Sequence, residues 1–175
     1  MSSKNTVDRE VQLVDKLEKI RRFFSEMDMG EQPTAAFKTL AEQVKGMFDA
    51  DASAVYLYDQ ECNELFLIEA ENIRKDLVGV KYKADQGLLG EVVKRKIALK
   101  VDDYSKWAGR SKVFEKENYK ALLEAPIIWK DRLRGIIGLV RMGQSPPFSE
   151  IDSKLLSIVA IHTATLMSDG AGETT

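Results

Sequence analysis

The chain has 175 residues, 44% hydrophobic and 31% charged, which suits one domain plus an appendage with an apolar core under a solvated surface. A formal net charge of -2 gives no electrostatic pull toward nucleic acid, and the basic run Lys94-Arg95-Lys96 reads as a solvated helix end. One cysteine, Cys62, excludes an internal disulfide; no apolar run reaches the ~18 residues of a membrane helix, and Met1 to Asn5 lacks the apolar stretch of a signal peptide. The expectation is a cytoplasmic protein with neither nucleic acid nor membrane as partner.

Leu13, Leu17, Ile20, Phe24 and Met27 recur at alternating spacings of four and three, a heptad seam on a helix. The seam fits two readings: a helix packed on its own domain, or a dimerising, signal-carrying helix. Gly30-Glu31-Gln32-Pro33 breaks the pattern, with Pro33 suited to the first turn of a second helix. That helix runs from Thr34 to Phe48, with Phe37, Leu40, Ala41, Val44 and Phe48 on one face.

Strand signals follow. Ala54 to Tyr58 and Leu65 to Ile68 flank a polar tip, Asp59 to Asn63, and predict a hairpin. A weaker strand is expected over Val78 to Tyr82, a short helix over Leu88 to Lys96 and another strand over Ile97 to Val101. Asp102 to Tyr119 has no period and holds Tyr104, Trp107, Arg110 and Phe114; a connection of this length is suited to a lid or binding loop. Leu122 to Trp129 and Leu133 to Met142 form a second hairpin around Lys130-Asp131-Arg132. Their apolar residues are consecutive rather than alternating, so this hairpin is covered on both sides. A final helix begins near Ser149, its expected N-cap, and runs to Met167; Ser168 to Thr175 is expected to fray.

In order and spacing, Gln86-Gly87-Leu88-Leu89-Gly90, Val101-Asp102-Asp103, Glu124-Ala125-Pro126-Ile127, Gly135-Ile136-Ile137-Gly138 and Phe148-Ser149-Glu150-Ile151-Asp152 resemble the GAF domain family. The resemblance spans residues 34 to 167. It implies an α+β fold of GAF/PAS type: a central antiparallel sheet of about six strands, helices on one face and a loop-covered ligand pocket on the other. It also implies a sensory or regulatory role, with dimerisation through the terminal helices and an attached output domain or partner. The expected organisation is an N-terminal helix over 1–30, the GAF domain over 31–168 and a tail over 169–175. Neither the cyclic-nucleotide signature nor a cysteine placed for bilin attachment is found, and no cofactor is identified.

The chemistry-bearing residues favour binding over catalysis. Cys62 lies among Glu61 and Glu64, which disfavour a thiolate. His162, the single histidine, reads as a packed or interfacial helix residue, with haem ligation or proton sensing as the alternative. Two Cys and His residues in all cannot build a structural zinc site. Gly87 to Gly90 lacks the Lys-Ser/Thr of a phosphate loop and reads as a helix start close to the sheet, with an anionic ligand group at that N-terminus as the alternative; no nucleophile elbow is present, and an enzyme is not expected. The candidate pocket comprises Tyr104, Trp107 and Phe114 as walls, Asp103 and Arg110 as orienting polar groups, and Tyr56, Phe66 and Ile68 as floor. The candidate homodimer interface comprises Leu13, Leu17, Ile20, Phe24 and Met27 with Leu155, Ile158 and His162. The function expected is a small-molecule-responsive regulatory domain; a ligand-free dimerisation module and a haem-based sensor are the alternatives.

Overall fold

A computed structural model describes residues 2–27, 33–114 and 116–170. The elements run α1 (Ser2–Glu26), α2 (Pro33–Met47), β1 (Ala52–Asp59), β2 (Glu64–Glu71), β3 (Lys81–Lys83), α3 (Gly87–Arg95), β4 (Leu99–Val101), β5 (Tyr119–Trp129), β6 (Arg132–Met142) and α4 (Glu150–Gly170). The six strands form one sheet in the order β3-β2-β1-β6-β5-β4, every neighbouring pair antiparallel. The expected α+β architecture is present. The strand expected over Val78 to Tyr82 is shorter and shifted onto β3, that over Ile97 to Val101 shrinks to β4, and 3-10 turns occupy 104–106 and 112–114 within the aperiodic segment. The expected break at residues 30–32 lies within residues 28–32, outside the described residues, as do residues 171–175 of the expected tail; α4 continues to Gly170, past its expected end at Met167.

Local chemistry explains the turns. Lys130 and Asp131 both take positive φ, 47° and 62°, as a two-residue hairpin connection requires. At the β1–β2 tip, Asp59 Oδ1 accepts the Glu61 and Cys62 N–H groups, an Asx turn. Helix α3 ends at Lys96, in the left-handed conformation with its N–H donated to the Val92 carbonyl.

Because successive residues of a strand face opposite ways, the apolar runs of β5 and β6 supply two cores. Leu123, Ala125, Ile127, Ile137 and Leu139 point at α2 and α4 and join Val55, Leu40, Val44, Phe48, Leu156 and Val159. Ile136, Leu122 and Val140 point the other way, toward Tyr82, Leu88, Leu89, Tyr104 and Tyr119. Ile136 and Ile137 are adjacent and both have zero exposure. Burial of each such side chain stabilises by about 1.5–3 kcal/mol.

Two polar devices bind the helix layer together. Ser149 Oγ accepts the Asp152 N–H (3.1 Å), and Asp152 Oδ2 accepts the Ser149 N–H (2.9 Å), a reciprocal cap on α4. Lys16 of α1 donates to the other Asp152 oxygen at 2.7 Å, so the cap of one helix also anchors another. Burial works to raise the Asp152 carboxyl, but the Lys16 ammonium and the Ser149 donors bring it below its ordinary value. Arg141, itself buried, donates to the carbonyls of Phe48, Asp49, Pro146 and Pro147 and lies over the Phe148 ring at 4.2 Å. It ties the end of α2 to the start of α4.

Two outcomes are expected. A methyl group at Gly135 would be driven into the Tyr56 carbonyl oxygen of the neighbouring strand, so Gly135→Ala is expected to lose about 3 kcal/mol or more in urea unfolding, or not to fold. Lys16→Met leaves Asp152 buried and charged, and is expected to cost about 1–3 kcal/mol at pH 7. Because the Asp152 carboxyl is depressed by folding, its stabilisation is held above the unfolded value and is lost as pH falls through the folded one. The gap between the two proteins therefore closes in acid.

Candidate functional site

On the sheet face opposite α2 and α4, the start of α3 and the 104–114 segment stand over the sheet beside its edge strand β3. They enclose a cavity of about 320 Å³, lined by Tyr82, Leu88, Leu89, Tyr104, Phe114 and Leu122 among others. Gly87 takes φ +63°, and a side chain there would meet Ser111 across the cavity wall at 3.3 Å. Glycine thus lets the α3 N-terminus approach the roof closely. The roof holds by ring contacts: Tyr82 stacks on Phe114 (5.7 Å, 25°), and Tyr104 and Phe114 each contact Tyr119. Tyr104 Oη accepts the Ser111 N–H at 3.0 Å, closing the segment on itself.

One acid sits in this apolar wall. Glu124, on β5 opposite Gly138, is 8% exposed. Its Oε2 and the Tyr119 hydroxyl are buried with no hydrogen-bond partner among the described residues. Leaving such groups unpaired costs about 1–3 kcal/mol each. Burial pushes the Glu124 carboxyl up to about 8, so it holds a proton at neutral pH. Burial, then the neighbouring Glu124, also raises the Tyr56 hydroxyl.

The structure divides the sequence-derived pocket residues. Tyr104 and Phe114 line the cavity. Tyr56 lies on the cavity face of β1, edge-to-face with Tyr82 at 6.0 Å, behind the wall. Phe66 and Ile68 must be corrected: Leu65 and Leu67 take the cavity face of β2, so Ile68 packs on the helix core and Phe66 is exposed. Asp103 is also corrected. It accepts from Lys120 at 2.6 Å and from Ser105, which hold its carboxyl well below the usual range. With Trp107 it borders a separate open depression at the sheet edge. Trp107 still contacts the Tyr104 ring (6.0 Å), and Arg110 is exposed. Glu124, Tyr82, Leu88 and Leu89 were not singled out as pocket residues. The visible signal was Glu124 itself, the lone acid in the apolar run Ala121 to Trp129.

The candidate dimer residues also separate. Ile20 and Leu155 are buried in the helix core, and Leu13, Phe24 and Met27 pack against it. The heptad seam is thus occupied largely within the chain, leaving Leu17 and Ile158 exposed. His162 rests on the Phe24 ring at 4.9 Å, on the helix side of the sheet and away from the cavity, so it cannot ligate a haem placed there. The exposed apolar residues of α1 are Val7, Val11, Val14 and Leu17; those of α4 are Ile151, Ile158 and Ile161. Cys62 is exposed, and its thiol is raised by hydrogen bonding to Asp59 and by that group's charge. Among the described residues no cluster of three or more His, Cys, Asp or Glu is placed to hold a metal, and no helix is long and apolar enough to cross a membrane.

The raised Glu124 carboxyl has a thermodynamic signature. The unfolded chain ionises it near its ordinary value while the folded protein keeps it protonated to about pH 8. It therefore removes stability progressively between those values. Glu124→Gln is expected to gain stability relative to the parent as pH rises from 4 to 9, by about 1.4 kcal/mol per unit of displacement at most. Urea unfolding at several pH values measures this; parallel curves for the two proteins would exclude a raised carboxyl.

A family model for the GAF domain matches residues 32–167. No curated protein sequence matches the chain. Among solved structures, the GAF domain of a phosphoenolpyruvate-protein phosphotransferase from Coxiella burnetii is similar at 22% identity, with a TM-score of 0.80 over 90% of this chain and 95% of that one. The corresponding Acinetobacter domain is similar at 19% identity, with a TM-score of 0.77 over 88% and 93%. A free methionine-R-sulfoxide reductase from Neisseria meningitidis, in complex with its substrate, is similar at 17% identity, with a TM-score of 0.71 over 97% and 93%. With that family model matching residues 32–167, most of its length, this chain belongs to the GAF domain family.

Proposed function

We propose that this chain is a ligand-responsive regulatory domain with no catalysis of its own. A small molecule occupies the cavity above the sheet, and its presence is passed through α1 and α4 to an output domain or partner protein. The observation that carries this reading is the 320 Å³ cavity walled by aromatic rings and holding a buried carboxyl oxygen with no partner. A compact apolar pocket with few polar groups is the common form of a small-molecule site. A reductase of the same fold accommodates its substrate, which lends the reading support.

Helix coupling follows from the same geometry. Leu122 and Glu124 face the cavity while Leu123 and Ala125 face α4, and α4 is joined to α1 by Lys16 and Asp152. We place homodimerisation on the exposed residues of α1 and α4, Val7, Val11, Val14, Ile158 and Ile161. The second reading, a ligand-free dimerisation module, is favoured by the stacked Tyr82 and Phe114 rings, which fill part of the space.

Native mass spectrometry of the purified protein is expected to show a retained small molecule. Added at 100 times its Kd, that molecule is expected to raise Tm by about 5–10 °C and to change hydrogen exchange in α1 and α4. An empty protein unaffected by a broad metabolite library would favour the structural module instead. In light scattering, the parent is expected to be dimeric and the Val11→Glu, Val14→Glu double variant monomeric with its fold intact. A monomeric parent refutes the dimer. Deleting residues 1–30 is unsuitable, because it removes the core residues Ile20 and Phe23.

A further inference from the structure

We infer that the cavity takes a small organic cation bearing N–H groups, a primary ammonium or an amidinium, and that the Glu124 carboxylate receives them. The inference rests on the ligand-binding reading above and adds the chemistry of the ligand. The geometry is specific. Glu124 is buried, lines the cavity, and has an oxygen that no described residue satisfies. Gly138, its partner on β6, has no side chain to shield the carboxyl; a Cβ there would stand 3.7 Å from Glu124 Cγ. A carboxylate only accepts hydrogen bonds, so its complement is a donor, and a charged donor forms the stronger pair.

The aromatic part of the wall suits a cation. The rings of Tyr82, Tyr104 and Phe114 border the cavity, and aromatic faces attract N–H cations. The titratable and charged groups around Glu124 are Tyr56 on β1, Tyr82, Lys81 and Lys83 on β3, Tyr119 on β5, and Tyr104 and Arg110 in the roof segment. The tyrosines stay neutral at pH 7, their hydroxyls raised chiefly by burial. Lys81 already faces Glu64 at 3.4 Å. Lys83 and Arg110 are exposed, and the buried Glu124 oxygen has no hydrogen-bond partner among the described residues, so no fixed cation is paired with it. Since empty Glu124 is protonated, an arriving cation draws it into the ionised form and its proton passes to solvent.

The test uses benzylamine, benzamidine and neutral benzyl alcohol with the full chain in isothermal titration calorimetry. The cations are expected to bind at least about tenfold more tightly than benzyl alcohol, and Glu124→Gln is expected to erase that difference without weakening the alcohol. Binding at pH 7 in buffers of different ionisation enthalpy is expected to report proton release. Should the variant not fold, carbon-13 NMR of the parent is expected to show one glutamate carboxyl moving to its ionised position on adding benzylamine. Equal binding of all three probes, or a carboxyl that does not move, overturns the inference while leaving the pocket reading intact. Failure of every probe also overturns it. The pocket reading then falls only if native mass spectrometry and the metabolite library are negative too.

Discussion

Ile136 and Ile137 are neighbours in the chain, point to opposite faces of β6 and are both withdrawn from water. A strand that buries both faces cannot sit in a two-layer fold with one side wet. Its sheet needs a second cover, and here the two covers differ. Helices α2 and α4 pack densely against one face. The other receives a 9-residue helix and two 3-10 turns, beside the 3-residue edge strand β3. Pieces this short touch the sheet at separated points, through rings such as Tyr104 and Phe114 against Tyr82 and Tyr119, and a hollow remains between them. The cavity is thus a consequence of covering an apolar sheet with irregular chain.

Most of the frame was legible because it depends on local signals. The consecutive apolar residues of β5 and β6 announced two-sided burial, the Asp59 and Lys130 turns announced hairpins, and Ser149 announced the start of α4. The faces of β2 were not legible. Leu65, Phe66, Leu67 and Ile68 are all apolar, so alternation cannot select which pair points inward. That choice is made by pairing with β1, where the register shifts between Val55 and Tyr56. The heptad seam on α1 was legible as a seam, but its spacing is identical whether the partner is another copy or the chain's own α2 and α4. Only tertiary packing of Ile20, Phe23 and Phe24 decides it.

Glu124 shows a different limit. Its place in an apolar strand is plain from sequence, yet the meaning depends on neighbours contributed by distant segments: Gly138 across the ladder, Tyr56 on β1, Tyr104 from the roof. A buried acid with a lysine or backbone donor beside it would be structural. This one lacks such a donor among the described residues, and the fold bears a penalty that an apolar side chain of similar size would avoid. Interiors usually satisfy their polar groups; exceptions concentrate where a site works on something outside the chain.

Under the proposed function, occupancy must also be felt on the far side of the sheet. A ligand can shift a conformational equilibrium only by its difference in affinity for the two states. The element that could differ here is β5, whose alternate residues belong to the two cores. Ionising and pairing Glu124 alters the forces on the cavity side of that strand, while Leu123, Ala125 and Ile127 lie against the helix layer. Beyond them the route is polar and specific: Arg141 gathers the end of α2 and the start of α4, and Asp152 holds both the α4 cap and Lys16 of α1. A movement of α4 by a fraction of an ångström would strain the Lys16 contact before it disturbed the apolar packing, because a short charged hydrogen bond tolerates less displacement than dispersion contacts do. The Lys16 and Asp152 pair is therefore where a signal from the cavity would be converted into a change in how α1 is held.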